Sequence, residues 1–75
     1  MSAPTDVPIS DESIKLGQFL KLSNLVESGS EGKSLIAEGL VRVNDEVEHR
    51  RGRHLTSGDV VTVAGHSARV VVPVS

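Results

Sequence analysis

The sequence predicts an α+β fold in which two short helices pack on a small, mainly antiparallel sheet of three to five strands. Three observations carry that expectation. Apolar residues recur at helical spacing in two short stretches of the first half, and β-branched runs separated by turn residues fill the second half. The chain has 75 residues and no cysteine, so one modest core must hold it without disulfides or thiolate-bound metal. A chain this short buries only about 60% of the surface it exposes when unfolded, which leaves no material for a second domain.

Taken in order, residues 1–13 contain Pro4 and Pro8, carry Asp6, Asp11 and Glu12, and show little periodicity. They are expected to form a flexible acidic lead-in to a single domain over residues 14–75, although Val7 and Ile9 could add a short edge strand. Leu16, Phe19 and Leu20 follow i, i+3, i+4 spacing and predict a first helix near residues 16–23. Residues 24–29 read as a connector anchored by Leu25 and Val26. Ser28 and Ser30 can both cap a second helix, and Ser28 has the capping-box partner Glu31 three residues on. Leu35 and Ile36 form that helix's apolar face. Gly39 ends it, with Leu40 folding back as the accompanying apolar contact.

Val41-Arg42-Val43 alternates as a half-buried strand should, and Asn44-Asp45 suits a tight hairpin turn leading to a return strand at Val47. Residues 50–54 read as a loop or bulged strand. Ser57-Gly58-Asp59 marks a turn before the strand Val60 to Val63, and residues 65–67 turn the chain into a final strand over residues 68–74.

Composition narrows the function classes. Phe19 is the one aromatic residue, so base stacking on aromatic rings is not expected. No apolar run approaches the ~20 residues of a membrane span, and the N-terminus is acidic, unlike a signal peptide, so no membrane role and a cytoplasmic location are expected. Net charge is −2, which alone argues against nucleic acid, but the distribution is uneven. From Ile14 onward eight cations face seven acids, and the unbalanced acids are Asp6, Asp11 and Glu12.

The stretch GSEGKSLIAEGLVRVND, residues 29–45, resembles the core of the RNA-binding domain named after ribosomal small-subunit protein four, the alpha-L motif. Upstream, KLGQFL resembles that family's opening helix, and GDVVTV its closing strand. The resemblance spans roughly two-thirds of the chain in the right order and is nearest to the short stand-alone bacterial proteins of that family, which carry a lysine early in the second helix and a basic segment after the hairpin. Lys33 and Arg50-Arg51-Gly52-Arg53 match those features. The chain departs at Gly29, where many members carry arginine, and at Asp45, where they carry glycine. The resemblance implies a non-catalytic module that docks structured RNA, ribosomal RNA or tRNA; association with the ribosome and a monomeric state are expected.

Binding of that kind needs cations spaced to meet successive phosphates on rigid supports. The candidate RNA-binding residues are Lys15, Lys21, Ser30, Lys33, Arg42, Asn44, Arg50, Arg51, Arg53 and His54. Lys33 is placed in the first turn of its helix, where free N–H groups and the helix dipole also favour a phosphate, and Ser30 can donate there. Each has a plainer alternative. Ser30 could be only a cap, and Lys33 a solvated charge. Arg42 could pair across the hairpin with Glu46 or Glu48, and Asn44 could serve the positive-φ turn. The clustered Arg50, Arg51 and Arg53 repel one another unless anions or solvent intervene, and planar guanidinium groups suit phosphate oxygens. His49, His54 and His66 match no metal-ligand spacing, SEGKS lacks the glycine spacing of a phosphate loop, and no catalytic constellation is evident, so no metal, cofactor or enzymatic activity is expected. The alternative function is a protein-interaction adaptor that uses the same fold without RNA contact, for which the low isoelectric point of about 5.8 speaks.

Overall fold

The computed structural model describes residues 3–73. In chain order the elements are β1 (Thr5–Pro8), β2 (Ser13–Lys15), α1 (Leu16–Leu22), α2 (Gly29–Ala37), β3 (Val41–Val43), β4 (Glu46–Val47), β5 (His54–Thr56), β6 (Val60–Val63) and β7 (His66–Val71). Five strands form one sheet in the order β1-β7-β6-β3-β4, and β2 pairs with β5 in a separate ribbon. Every pairing is antiparallel except β1 with β7.

The core follows from the two periodicities. Leu16, Phe19 and Leu20 of α1 and Ile36 of α2 are buried against Val41, Val43, Val61, Val63, Ala68 and Val70 of the sheet. Val26 in the connector joins them, and Leu25 packs alongside. Both helices end in the same way. Asn24, at φ 61°, follows α1, and its amide and that of Leu25 donate back to the carbonyls of Lys21 and Leu20. Gly39, at φ 74°, follows α2, and its amide and that of Leu40 donate to Ile36 and Leu35. This double bond around a left-handed residue satisfies carbonyls that the helix would otherwise leave open. After α1 the next residue, Leu25, returns to the core, whereas Leu40 after α2 stays 54% exposed, contrary to the contact expected of it.

Ser28 is the α2 cap, its hydroxyl accepting from the Glu31 amide at 3.2 Å. Ser30 therefore lies inside the helix, and Lys33 falls just past the first turn rather than within it. The hairpin turn is Asn44-Asp45, both residues at positive φ, as the sequence suggests. Asn44 is also tied to β6: its side-chain amide donates to Asp59 at 3.1 Å and its oxygen accepts from the Val60 amide at 3.0 Å.

The open N-terminal alternative is realised and the bounds of the last strand shift, each for an identifiable reason. The acidic lead-in is not uniformly loose, because β1 adds to the sheet edge beside β7 and Ile9 is buried, its amide bonded to the Val71 carbonyl at 2.9 Å. Pro8 is compatible with this because an edge strand leaves one row of amides unpaired. The last strand begins two residues early, at His66, since the turn is Ala64-Gly65 with both residues at positive φ. It ends at Val71, ahead of Pro73, which has no amide to donate. Val74, the expected end of that strand, lies outside the described residues.

Candidate nucleic-acid interface

The Arg50–Arg53 segment docks on the start of α1. The amides of Leu16 and Gly17, which open the helix and have no partner inside it, donate to the carbonyls of Arg53 at 2.8 Å and Arg51 at 3.1 Å. The loop thus serves as the helix cap, a task that the Lys15 side chain does not perform. The contact also brings Arg51 beside Gly17: a Cβ on this glycine would stand 3.8 Å from the Cβ of Arg51. A shallow groove of about 270 Å³ opens there, lined by Lys15, Gly17, Gln18, Arg51 and Gly52.

From this groove a run of exposed residues continues along both helices. Gly17, Gln18 and Lys21 share one face of α1 by i, i+3, i+4 spacing. The aliphatic chain of Lys21 lies across the start of α2, with its Cδ 3.9 Å from where a Cβ on Gly29 would stand. Gly29 and Lys33 share a face of α2 by the same spacing, and Ser30 is beside Lys33 at i+3. Glu31 is turned roughly 200° from Lys33 around the helix, on its far side. Lys15, Arg51, Lys21 and Lys33 therefore follow one path from the groove along the two helices. All four are exposed. Among the described residues, no carboxylate lies within ion-pair distance of them. His54 is at one end of the path, opposite Lys15 in the β2–β5 ribbon. Its ring Nδ1 is 3.5 Å from the Ser13 hydroxyl.

The remaining candidates are placed differently. Arg42 projects from the sheet face opposite the core, directly across from Val47 on one side and Thr62 on the other. It is separated from the helices by the sheet itself and is not paired with Glu46 or Glu48. Asn44 is engaged in holding the hairpin against β6, as described above. Arg50 and Arg53 are joined to Glu48, at 3.3 and 3.0 Å respectively. Arg50 nevertheless remains 76% exposed.

Glu48 owes its position to strand alternation. Its amide donates to the Val41 carbonyl at 3.0 Å, continuing the β3–β4 register. Its side chain therefore turns to the same side as buried Val41. Only 7% of the residue is exposed. Hydrogen bonds from the side chains of Arg50 and Arg53 hold its carboxyl down at about 2, well below the usual carboxylate range, against the opposing effect of burial. Asp6, one of the unbalanced N-terminal acids, pairs with Arg69 of β7 at 2.6 Å, on the β1–β7 side of the sheet.

Sequence reasoning missed Gln18 and Glu48. Gln18 carried a readable signal, since helical spacing puts it beside Lys21, off the stripe of Leu16, Phe19 and Leu20. Glu48 carried none beyond its place next to a basic run. No group of three residues able to hold a metal ion occurs among the described residues, and no helix among them is long and apolar enough to cross a membrane.

The helix pair leading into a hairpin, together with the basic loop capping α1, defines a small α+β module of the alpha-L type. A family profile described as "S4 domain" matches residues 7–71, and the chain belongs to that family. It is 47% identical over 66 residues to the probable ribosome maturation protein RlbA of Bacillus subtilis (strain 168), a match that covers 88% of this chain and 93% of that one. It is 43% identical over 58 residues to YbcJ of Escherichia coli (strain K12), covering 77% of this chain and 83% of the relative. The solution structure of YbcJ, described as revealing an alfaL motif involved in RNA-binding, superimposes with a TM-score of 0.70 over 95% of this chain and 91% of its own. The 30S ribosomal protein S4e of Thermoplasma acidophilum is similar over 80% of this chain, with a TM-score of 0.62 and 26% identity, where the match takes up 32% of the larger protein.

Proposed function

We propose that this protein is a non-catalytic module that binds structured RNA, ribosomal RNA in the first place, with tRNA as the other folded substrate of the same chemistry. It would act as a monomer in the cytoplasm in association with the ribosome or its precursors. The observation that carries this reading is the run of exposed cations Lys15, Arg51, Lys21 and Lys33, without ion-pair partners among the described residues, beside and along two helices whose inner faces are locked in the core. Cations on rigid supports lose little freedom when they meet phosphates, so most of the attraction is retained as affinity. The description of RlbA as a probable ribosome maturation protein and that of the YbcJ motif as involved in RNA-binding support the same reading. With no Phe, Tyr or Trp exposed on this surface, recognition rests mainly on phosphates and on the shape of the RNA rather than on base stacking.

The site residues of this reading are Lys15, Lys21, Ser30, Lys33, Arg51 and His54, with Gln18 added and Arg50 at the rim. Arg53 acts as a strut, and Arg42 and Asn44 are assigned no direct contact. Four neutralised phosphates correspond to a slope of about −3 in log K against log salt. Binding of protein-free ribosomal RNA, measured by fluorescence anisotropy from about 50 to 300 mM salt, should weaken by roughly two orders of magnitude. Salt-independent binding, or retention of protein partners but not RNA from ribonuclease-treated lysate, would instead favour the adaptor role.

A further inference from the structure

Glu48 is the one buried charged side chain among the described residues, and it stands immediately behind the most cationic segment of the chain. Its carboxylate accepts five hydrogen bonds. Oε2 receives the amides of His49 at 3.0 Å and Arg50 at 3.2 Å together with Arg50 Nε at 3.3 Å. Oε1 receives Arg50 Nη2 at 3.4 Å and Arg53 Nη1 at 3.0 Å. The same loop is held from its other side by α1, through the carbonyls of Arg51 and Arg53. Arg51 lies between these two attachments, and its own side chain takes part in neither.

From this geometry we propose that Glu48 is a positioning residue for RNA binding: it fixes Arg50 and Arg53 so that the loop keeps its seat on α1 and Arg51 is delivered to the path formed by Lys15, Lys21 and Lys33. The inference rests on the RNA-binding reading above and adds to it a residue that has no contact with RNA. Three neighbouring guanidinium groups without a counter-charge would splay apart, and the loop carbonyls would leave the helix start with them. A carboxylate is thus required inside a surface meant for an anionic ligand. Its sign makes the proposal testable, because simple charge counting and positioning demand opposite results.

The experiment compares wild type, Glu48→Gln, Arg51→Ala and the double variant for affinity to protein-free ribosomal RNA at about 100 mM salt. Charge counting requires Glu48→Gln to bind more tightly, since a negative charge beside the phosphates is gone and two arginines are released. Positioning requires it to bind roughly fivefold more weakly, up to the full worth of the exposed Arg51 contact that it delivers. In the Arg51→Ala background, Glu48→Gln should then change affinity by less than about twofold, because Glu48 acts through Arg51. General loosening of the fold would not produce that coupling. Should Glu48→Gln fail to fold, Glu48→Asp replaces it in the cycle; it keeps the charge but draws it back from Arg53, and a smaller loss is expected, again only when Arg51 is present. Equal or tighter binding by the Glu48 variant, or losses that simply multiply in the double variant, would overturn the proposal and leave RNA binding standing. Absence of RNA binding by wild type would overturn both.

Discussion

A triple variant carrying Lys21→Ala, Lys33→Ala and Arg51→Ala is expected to bind structured RNA about 100-fold more weakly than wild type at physiological salt. The figure follows from roughly 1 kcal/mol for each exposed phosphate contact, below the range for buried charged hydrogen bonds because the surface is open to solvent. The salt slope should fall by about 2 to 3, since three fewer counterions are released. All three side chains are exposed and none makes an ion pair among the described residues, so thermal stability should change little. Arg42→Ala is the matched control. It removes the same charge from the far face of the sheet, and affinity should stay within about twofold of wild type. Equal losses from Arg42→Ala and from any one of the three would mean that net charge, not the helical surface, governs binding.

The second large effect concerns stability in acid. The Glu48 carboxyl, held at about 2 in the fold by Arg50 and Arg53, returns to about 4.5 when the chain unfolds. A depressed carboxyl pKa stabilises the folded state above the unfolded value, and the contribution is lost as pH falls from about 4.5 toward 2. Because Arg50 lies in solvent, the contribution is discounted to about 2 kcal/mol. For a domain of this size that corresponds to roughly 8 to 16 °C in Tm. Thermal unfolding followed by circular dichroism should therefore show wild type well above Glu48→Gln at pH 6, with the two converging near pH 2. Curves that stay parallel across this window would show that the Arg50–Glu48–Arg53 cluster contributes nothing net to stability.

Much of the fold was legible because it rests on local rules. The i, i+3, i+4 spacing of Leu16, Phe19 and Leu20, the Ser28–Glu31 cap, the glycine after α2 and the Asn44-Asp45 turn each act within a few residues. The β2–β5 ribbon was not legible, because three-residue strands with one inward residue each, Ile14 and Leu55, offer no period to detect. Nor was the parallel pairing of β1 with β7, which joins segments more than sixty residues apart, as Thr5 opposite Ala68.

The candidate site divides along the same line. Lys21 and Lys33 could be placed from helical spacing, and the outward turn of Arg42 from strand alternation. That Arg42 faces away from the helices depends on which side of the sheet they cover, a tertiary fact. The arginine run read as three equivalent cations, yet strand register sends Glu48 inward to bind two of them and leaves Arg51 to the surface. The difference arises from a residue two positions before the run, whose burial is set by its partner Val41 across the hairpin.

The central claim, that RNA is met by the helical path and the loop seated on it, is tested most directly by titrating the isotopically labelled protein with a ribosomal RNA stem-loop and following amide shifts by NMR. The amides of Lys15, Gly17, Gln18, Lys21, Gly29, Ser30, Lys33 and Arg51 should move together and saturate at one affinity, while those of Arg42, Val47, Thr62 and Arg69 stay in place. Shifts concentrated on the outer face of the sheet, or none with any RNA offered, would contradict it.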